Sequence, residues 1–451
     1  MTSPDAPTSH VFYRKLTRTY PRIVRGEGCW LYDADGRAYL DAVGGAFVVN
    51  VGHGVREIAD AIGRQAARLA YVNGTAFTSD PVEELAAEIA GRSSGDLELV
   101  YPLSSGSEAV EAALKLARQY CVESGQAGRR KVVTLSPGYH GNTLLALSAS
   151  ARAHYTTFFR DWLVEVVRVP APYAYRCECR GAEPLCPSCS GEAIEAAILR
   201  EGPDTIAAVL AEPVGGSSTG ASVPPPSYWP RVRAVCDHYG VLLVADEVLT
   251  GAGRTGTWSA LEPYGVVPDI MTLGKGIAGG YVPLSAVLAP RRIAEVVARG
   301  TGALLHAQTF SHHATLCAAG VATLRYLRAH SLIERCAAIA PAFHQRLAAL
   351  RELPCVGDVR GRGLLAGIEF VADPDTRAPF PRSARFAETF AAAALEMGLV
   401  VWPNVGQADG TNGDLAMLAP PFVVSHDEID LIAERFGQAL RVTVERIGAI
   451  A

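Results

Sequence analysis

Apolar residues recur along the chain with two different periods, and the change from one to the other marks out its regions. From Pro21 to Asp41 the short apolar runs Cys29–Tyr32 and Ala38–Leu40 are punctuated by the turn signals Gly26–Gly28 and Asp33–Gly36. This pattern predicts a β-meander. From about Ser105 to Leu288 there are continuous apolar runs at Val132–Leu135, Ala207–Ala211, Val241–Ala245, Ile270–Leu273 and Ser285–Leu288. Strands buried on both faces lack polar alternation, and the amphipathic stretches between these runs predict helices covering a parallel sheet. Ala109, Ala113, Leu116 and Ala117 share one helical face just after Gly106, so a helix opens there. Beyond Gln308, Ala-rich helical segments flank a further strand, Leu364–Phe370, which predicts a smaller α+β region. Pro224–Pro226 reads as a rigid loop.

Composition narrows the class. A chain of 451 residues, 49% hydrophobic and 19% charged, has an ordinary globular balance and room for more than one domain. The net charge of -5 argues against general nucleic-acid binding, which wants a basic surface. No apolar stretch reaches the roughly 18 residues of a membrane span. The polar start MTSPDAPTSH lacks the apolar run of a secretory signal, so a cytoplasmic enzyme is expected. The scattered Cys29, Cys121, Cys236, Cys317, Cys336 and Cys355 then read as small buried apolar side chains rather than staples.

Four features could serve one cofactor. Ser104-Ser105-Gly106-Ser107-Glu108 is a small-residue turn entering a helix, where free N–H groups and the helix dipole suit a phosphate. An ordinary capped helix, with Ser107 as the cap, is the plainer alternative. Tyr139-His140-Gly141 follows a predicted strand, and the Tyr139 ring could stack on a flat cofactor, although such a pair is often structural. In Val244-Ala245-Asp246-Glu247-Val248 a buried strand ends in an acid, at the edge where open α/β sheets place their sites. A carboxylate there can hold a pyridinium nitrogen protonated; a solvated strand end or a metal ligand are the alternatives. Lys275 sits in Leu273-Gly274-Lys275-Gly276-Ile277-Ala278-Gly279-Gly280, where glycines leave space near the backbone. An amine desolvated there would lose its proton readily and form an imine, whereas a turn lysine would stay solvated.

Together these segments resemble the class III aminotransferases, which use pyridoxal 5'-phosphate. Further matches are Tyr32-Asp33-Ala34-Asp35-Gly36-Arg37, Asn50-Val51-Gly52-His53-Gly54, Glu212-Pro213-Val214, Gly253-Arg254-Thr255-Gly256, Thr309-Phe310-Ser311 and Gly361-Arg362-Gly363-Leu364. The resemblance implies fold type I: a large α/β domain with a mainly parallel seven-stranded sheet, and a small α+β domain built from both chain ends. The expected division is 1–75 for a segment serving the small domain and dimer contacts, 76–325 for the cofactor domain, and 326–451 for the small domain. It also implies roles: Lys275 as Schiff-base lysine and proton carrier, Asp246 against the pyridine nitrogen, Tyr139 and Val248 on the two ring faces. Ser105, Gly106 and Ser107 would hold the phosphate, with His140 nearby, and Glu212 would order the surroundings of the ring's 3-hydroxyl. Thr309 would reach the phosphate of a neighbouring subunit, which implies a homodimer with shared sites. The activity implied is transfer of an amino group from an amine or amino acid to an oxo acid, aldehyde or ketone in two half-reactions. An aminomutase or racemase, or a silent cofactor-binding protein, are the other readings.

Two departures stand out. Ser217 replaces an acid common among relatives that use ω-amino acids, and no arginine occurs between Arg385 and Pro420, near Val401-Trp402-Pro403, where such relatives carry a mobile one. A substrate carboxylate would then lack its usual bidentate partner: either another arginine serves, or one substrate is recognised without that clamp, with Phe47 and Trp402 forming an apolar or aromatic wall instead. This tilts the expected substrate towards an amine or a non-α-amino acid. The second departure is Cys177-Glu178-Cys179 with Cys186-Pro187-Ser188-Cys189 in a loop. Two close pairs can wrap a structural zinc, with free thiols or reversible disulfides as the alternative.

Overall fold

The computed structural model describes residues 9–448. The first eight residues of the polar N-terminal stretch lie outside them. The predicted meander is present as β1 (Ile23–Glu27), β2 (Trp30–Asp33) and β3 (Ala38–Asp41). Next come β4 (Leu99–Leu103), β5 (Lys131–Ser136), β6 (Val167–Pro170), β7 (Ile206–Ala211), β8 (Leu242–Asp246), β9 (Ile270–Leu273) and β10 (Ser285–Ala289). They form a seven-stranded sheet in the order β4-β10-β9-β8-β7-β5-β6. Pairing from β9 through β8, β7 and β5 to β6 is parallel, while β10 is antiparallel to β9 and β4. β7, β8, β9 and β10 are buried at every position, as their unbroken apolar runs require.

The sequence reading missed both edge strands. β6 is four residues with Arg168 in the middle and two exposed positions, so its apolar signal is weak. β4 is apolar throughout, but Pro102 within it argues against a strand and is tolerated because β4 is an edge.

The remaining strands are β11 (Val356–Arg362), β12 (Leu365–Phe370), β13 (Leu399–Val400), β14 (Trp402–Val405) and β15 (Asp414–Leu418). An antiparallel sheet of order β11-β12-β15-β14 contains the expected strand near residue 365. β13 instead pairs with β3, so the first and last parts of the chain share one sheet, as the fold type requires. Buried Arg254, between β8 and β9, ties the central region to the last part of the chain: its guanidinium donates to the carbonyls of Leu364 (3.0 Å) and Pro420 (2.7 Å). No helix among the described residues is long and apolar enough to cross a membrane.

Candidate active site

Parallel strands point their carboxyl ends one way, and the loops leaving them make a crevice at that edge. The loop after β5 carries Tyr139 and His140, and the residue after β7 is Glu212. β8 ends on Asp246, and Lys275 lies two residues beyond β9. All five line one cavity of about 630 Å3, together with Gly106, Ser107 and Val248. Phe47, from the short helical turn after β3, and Trp402, from β14, also line it, their rings 5.4 Å apart and tilted.

Asp246 is buried and fully engaged. Oδ2 accepts from His140 Nδ1 at 2.7 Å, and Oδ1 accepts from the Thr272 hydroxyl and the Val248 N–H, each at 3.1 Å. Burial would lower the pKa of His140, but the hydrogen bond and charge of Asp246 outweigh it and raise it above the ordinary value. Glu212 accepts from the N–H groups of Gly216 (3.0 Å) and Tyr139 (3.2 Å), and burial pushes its carboxyl upward.

The chain's lysines are Lys15, Lys115, Lys131 and Lys275. Lys15 and Lys115 are exposed and Lys131 pairs with Glu201 at 2.8 Å, whereas Lys275 faces the cavity. Burial lowers the Lys275 pKa, opposed only through space by Asp246 and Glu212. Its backbone is in the left-handed region, φ 44°, an uncommon conformation for a side-chain-bearing residue that recurs at functional sites.

Ser105, not Ser107, caps the helix Gly106–Glu123, its hydroxyl accepting from the Glu108 N–H at 3.3 Å. This frees Ser107, whose hydroxyl instead bonds Asn142. Cβ atoms added at Gly106 and Gly141 would lie 2.7 Å from Val248 Cγ1 and 2.5 Å from Ser107 Oγ, so both positions need glycine. Thr309 lies outside this chain's cavity, exposed, with its carbonyl accepting from Tyr71. Its neighbour Gln308 bonds Ser104 and Glu108 at the helix start.

The sequence reading missed Arg14, Asn142, Arg152 and Tyr155, which also line the cavity. Arg152 donates to Ser217 Oγ, so the position where an acid was expected now faces a guanidinium. Nothing in the sequence near Arg152 marks it. The four clustered cysteines do converge: their sulfurs all lie within 4.8 Å of one another. The scattered cysteines are free and buried, as expected.

A half-buried lysine of lowered pKa, a hydrogen-bonded buried acid and a glycine-lined helix start, joined at one sheet edge, make a site of the fold-type-I kind. Residues 12–440 match the family model of class-III aminotransferases. An uncharacterized aminotransferase of Bacillus subtilis, YodT, is 35% identical over 434 residues, covering 96% of this chain and 98% of the relative. The diaminobutyrate–2-oxoglutarate transaminase of Halomonas elongata is 36% identical, over 95% of this chain and 92% of its own. A thermostable (S)-enantioselective omega-transaminase from Thermomicrobium roseum superposes with a TM-score of 0.87 at 38% identity, covering 94% and 93% of the two chains. The chain belongs to the class III aminotransferases and is a pyridoxal-phosphate-dependent enzyme.

Proposed function

We propose that this aminotransferase holds its cofactor between Tyr139 and Val248, with Lys275 as the attachment and proton-carrying residue. The observation that carries this reading is the convergence of Tyr139, Glu212, Asp246 and Lys275 from four neighbouring parallel strands onto one cavity. The residues fit the group chemically. The first turn of the helix at Gly106, with the hydroxyls of Ser105 and Ser107, suits a phosphate, and Asp246 suits a protonated ring nitrogen. When bound, the cofactor supplies an electron-accepting ring that stabilises negative charge at the substrate carbon. Lys275, its ammonium disfavoured by burial, moves the proton at that carbon. Three donors orient the Asp246 carboxyl, and Glu212 fixes the loop bearing Tyr139 through its N–H.

Several finer features belong to the same reading. The division 1–75, 76–325 and 326–451 is supported by the central sheet spanning β4 to β10 and by the pairing of β3 with β13. The position of Thr309, exposed beside the helix start, supports a homodimer in which it approaches the partner's phosphate. The absence of a membrane-length helix among the described residues is compatible with a cytoplasmic enzyme. Cys177, Cys179, Cys186 and Cys189 suit a structural zinc: thiolates at about 2.3 Å from the metal sit roughly 3.8 Å apart, and adjacent sulfurs here are 3.2–3.5 Å apart. Such a zinc would brace a loop whose Arg176 and Tyr173 pair with Glu369 of β12.

A panel of amino donors and carbonyl acceptors, read by loss and return of the lysine-bound cofactor absorbance, tests the activity. Loss with a donor and return with a different carbonyl compound is expected. Return only with the donor's own carbonyl product would favour an enzyme that gives the amine back to its substrate.

A further inference from the structure

Arg152 is nine-tenths buried, 8% exposed, and lines the same cavity as Lys275. Its guanidinium is held by two neutral oxygens: Nη1 donates to Ser217 Oγ at 3.1 Å and Nη2 to Asn404 Oδ1 at 2.8 Å. No carboxylate lies within 4.0 Å of it among the described residues. Other arginines of low exposure are satisfied differently. Half-buried Arg176 and Arg360 share Glu369, buried Arg129 has backbone carbonyls and Asp204 at 3.7 Å, and buried Arg254 is held by backbone carbonyls. A buried cation without a paired acid is costly; Arg152, which Glu212 reaches only through space, differs from Arg254 in facing the cavity, where an anion can be received.

The surroundings agree. Arg14 lies over the Tyr155 ring at 5.5 Å and donates to its hydroxyl at 2.9 Å, while Arg152 lies 5.1 Å from the same ring. Burial, followed by the charges of Arg152 and Arg14, drives the adjacent His154 down to about 4. The cavity therefore has an aromatic wall, Phe47 and Trp402, and a cationic wall.

We infer that Arg152 anchors the carboxylate of a substrate, in the place of the arginine missing between Arg385 and Pro420. This rests on the aminotransferase assignment of the cavity. It takes up the first of the two alternatives left by the missing arginine between Arg385 and Pro420, that another arginine serves as the clamp. A guanidinium oriented by Ser217 and Asn404 still has donors for a planar carboxylate, which it binds with charge-assisted hydrogen bonds.

The test uses acids with nothing to transfer. Calorimetric titration of the holoenzyme compares 3-phenylpropionate with its amide, which has the same shape and no charge. The acid should bind roughly 10- to 100-fold more tightly, the value of losing a charged hydrogen-bond pair. Arg152→Gln should bring the ratio near one, and Arg152→Lys should restore part of it. A wild-type ratio near one, or an unchanged ratio in Arg152→Gln, overturns the inference. If the Gln variant does not fold, Arg14→Gln decides: a retained ratio supports Arg152, and a lost one moves the anchor to Arg14. Missing cofactor absorbance in the wild-type protein would overturn the lysine assignment instead, independently of this ratio.

Discussion

Replacing Asp246 by Asn separates the chemical role of this carboxylate from its structural one. The change keeps the shape and removes the charge. Asn Oδ1 can still accept from Thr272 and Val248, now 3.1 Å away, while its amide faces His140 Nδ1, at 2.7 Å, which must take the accepting tautomer. Each charge-assisted bond that becomes neutral costs about 1 kcal/mol. Sparing a buried anion its desolvation offsets several kcal/mol. The net change in stability should therefore stay within about 2 kcal/mol, a shift of a few degrees in Tm. The rate should fall far more, roughly 100- to 1000-fold, as for other sites that lose one directed electrostatic group. His140 adds a pH signature. Its folded pKa is raised by Asp246, so its stabilisation is present at low pH and fades as pH rises through the folded value. In the variant burial is opposed only by the weaker charge of Glu212, and that stabilisation should be largely lost. Urea melts across pH and single-turnover kinetics measure both effects. A kcat within about fivefold of wild type would refute the role given to the charge, and a collapse in stability would make Asp246 a structural residue.

Three other outcomes are expected. Gly106→Ala places a Cβ 2.7 Å from Val248 Cγ1; overpacking of about 1–3 kcal/mol should weaken cofactor binding by up to roughly 100-fold, and an unchanged titration would show that this contact does not shape the slot. Elemental analysis should find zinc bound with the protein and lost in Cys179→Ser, with a lower Tm; metal-free protein of chelator-insensitive Tm would contradict the zinc reading. Glu247 is buried and pushed up to about 7, although the hydroxyls of Thr250 and Ser259 and the Ala260 N–H donate to it. The folded state thus holds its proton longer than the unfolded one, so stability is fullest below the ordinary value of 4.5 and falls as pH rises towards 7. The shift corresponds to roughly 3 kcal/mol, and Glu247→Gln should flatten this slope in urea melts; superimposed curves would refute it.

The central sheet was legible because its inner strands are buried on both faces, and Ile206–Ala211 or Leu242–Asp246 could be little else. The edge strand Val167–Pro170 and the short pairing of Leu399–Val400 with β3 were not, since half-exposed or two-residue strands leave no period to read. The residues proposed to hold the cofactor could be picked out in the sequence because each follows a strand or opens a helix, which is a local event. Arg152 was not legible. A search for an arginine along Arg385–Pro420 looks for a neighbour in sequence, whereas the fold brings one in beside Ser217 from 65 residues away. The capping role assigned to Ser107 fell to Ser105 because the helix begins one residue after it. The pairing of His140 with Asp246 spans 106 residues and emerges only when β5 and β8 take their places in the sheet.

The account rests most on Lys275, and the chain's small set of lysines makes it directly testable. Borohydride treatment of the holoenzyme, followed by peptide mapping, should place the trapped cofactor on the peptide containing Lys275. Lys15, Lys115 and Lys131 should remain unmodified, and Lys275→Ala should lose both the label and the absorbance band. A label on another lysine, or a band that survives Lys275→Ala, would contradict the assignment of the site.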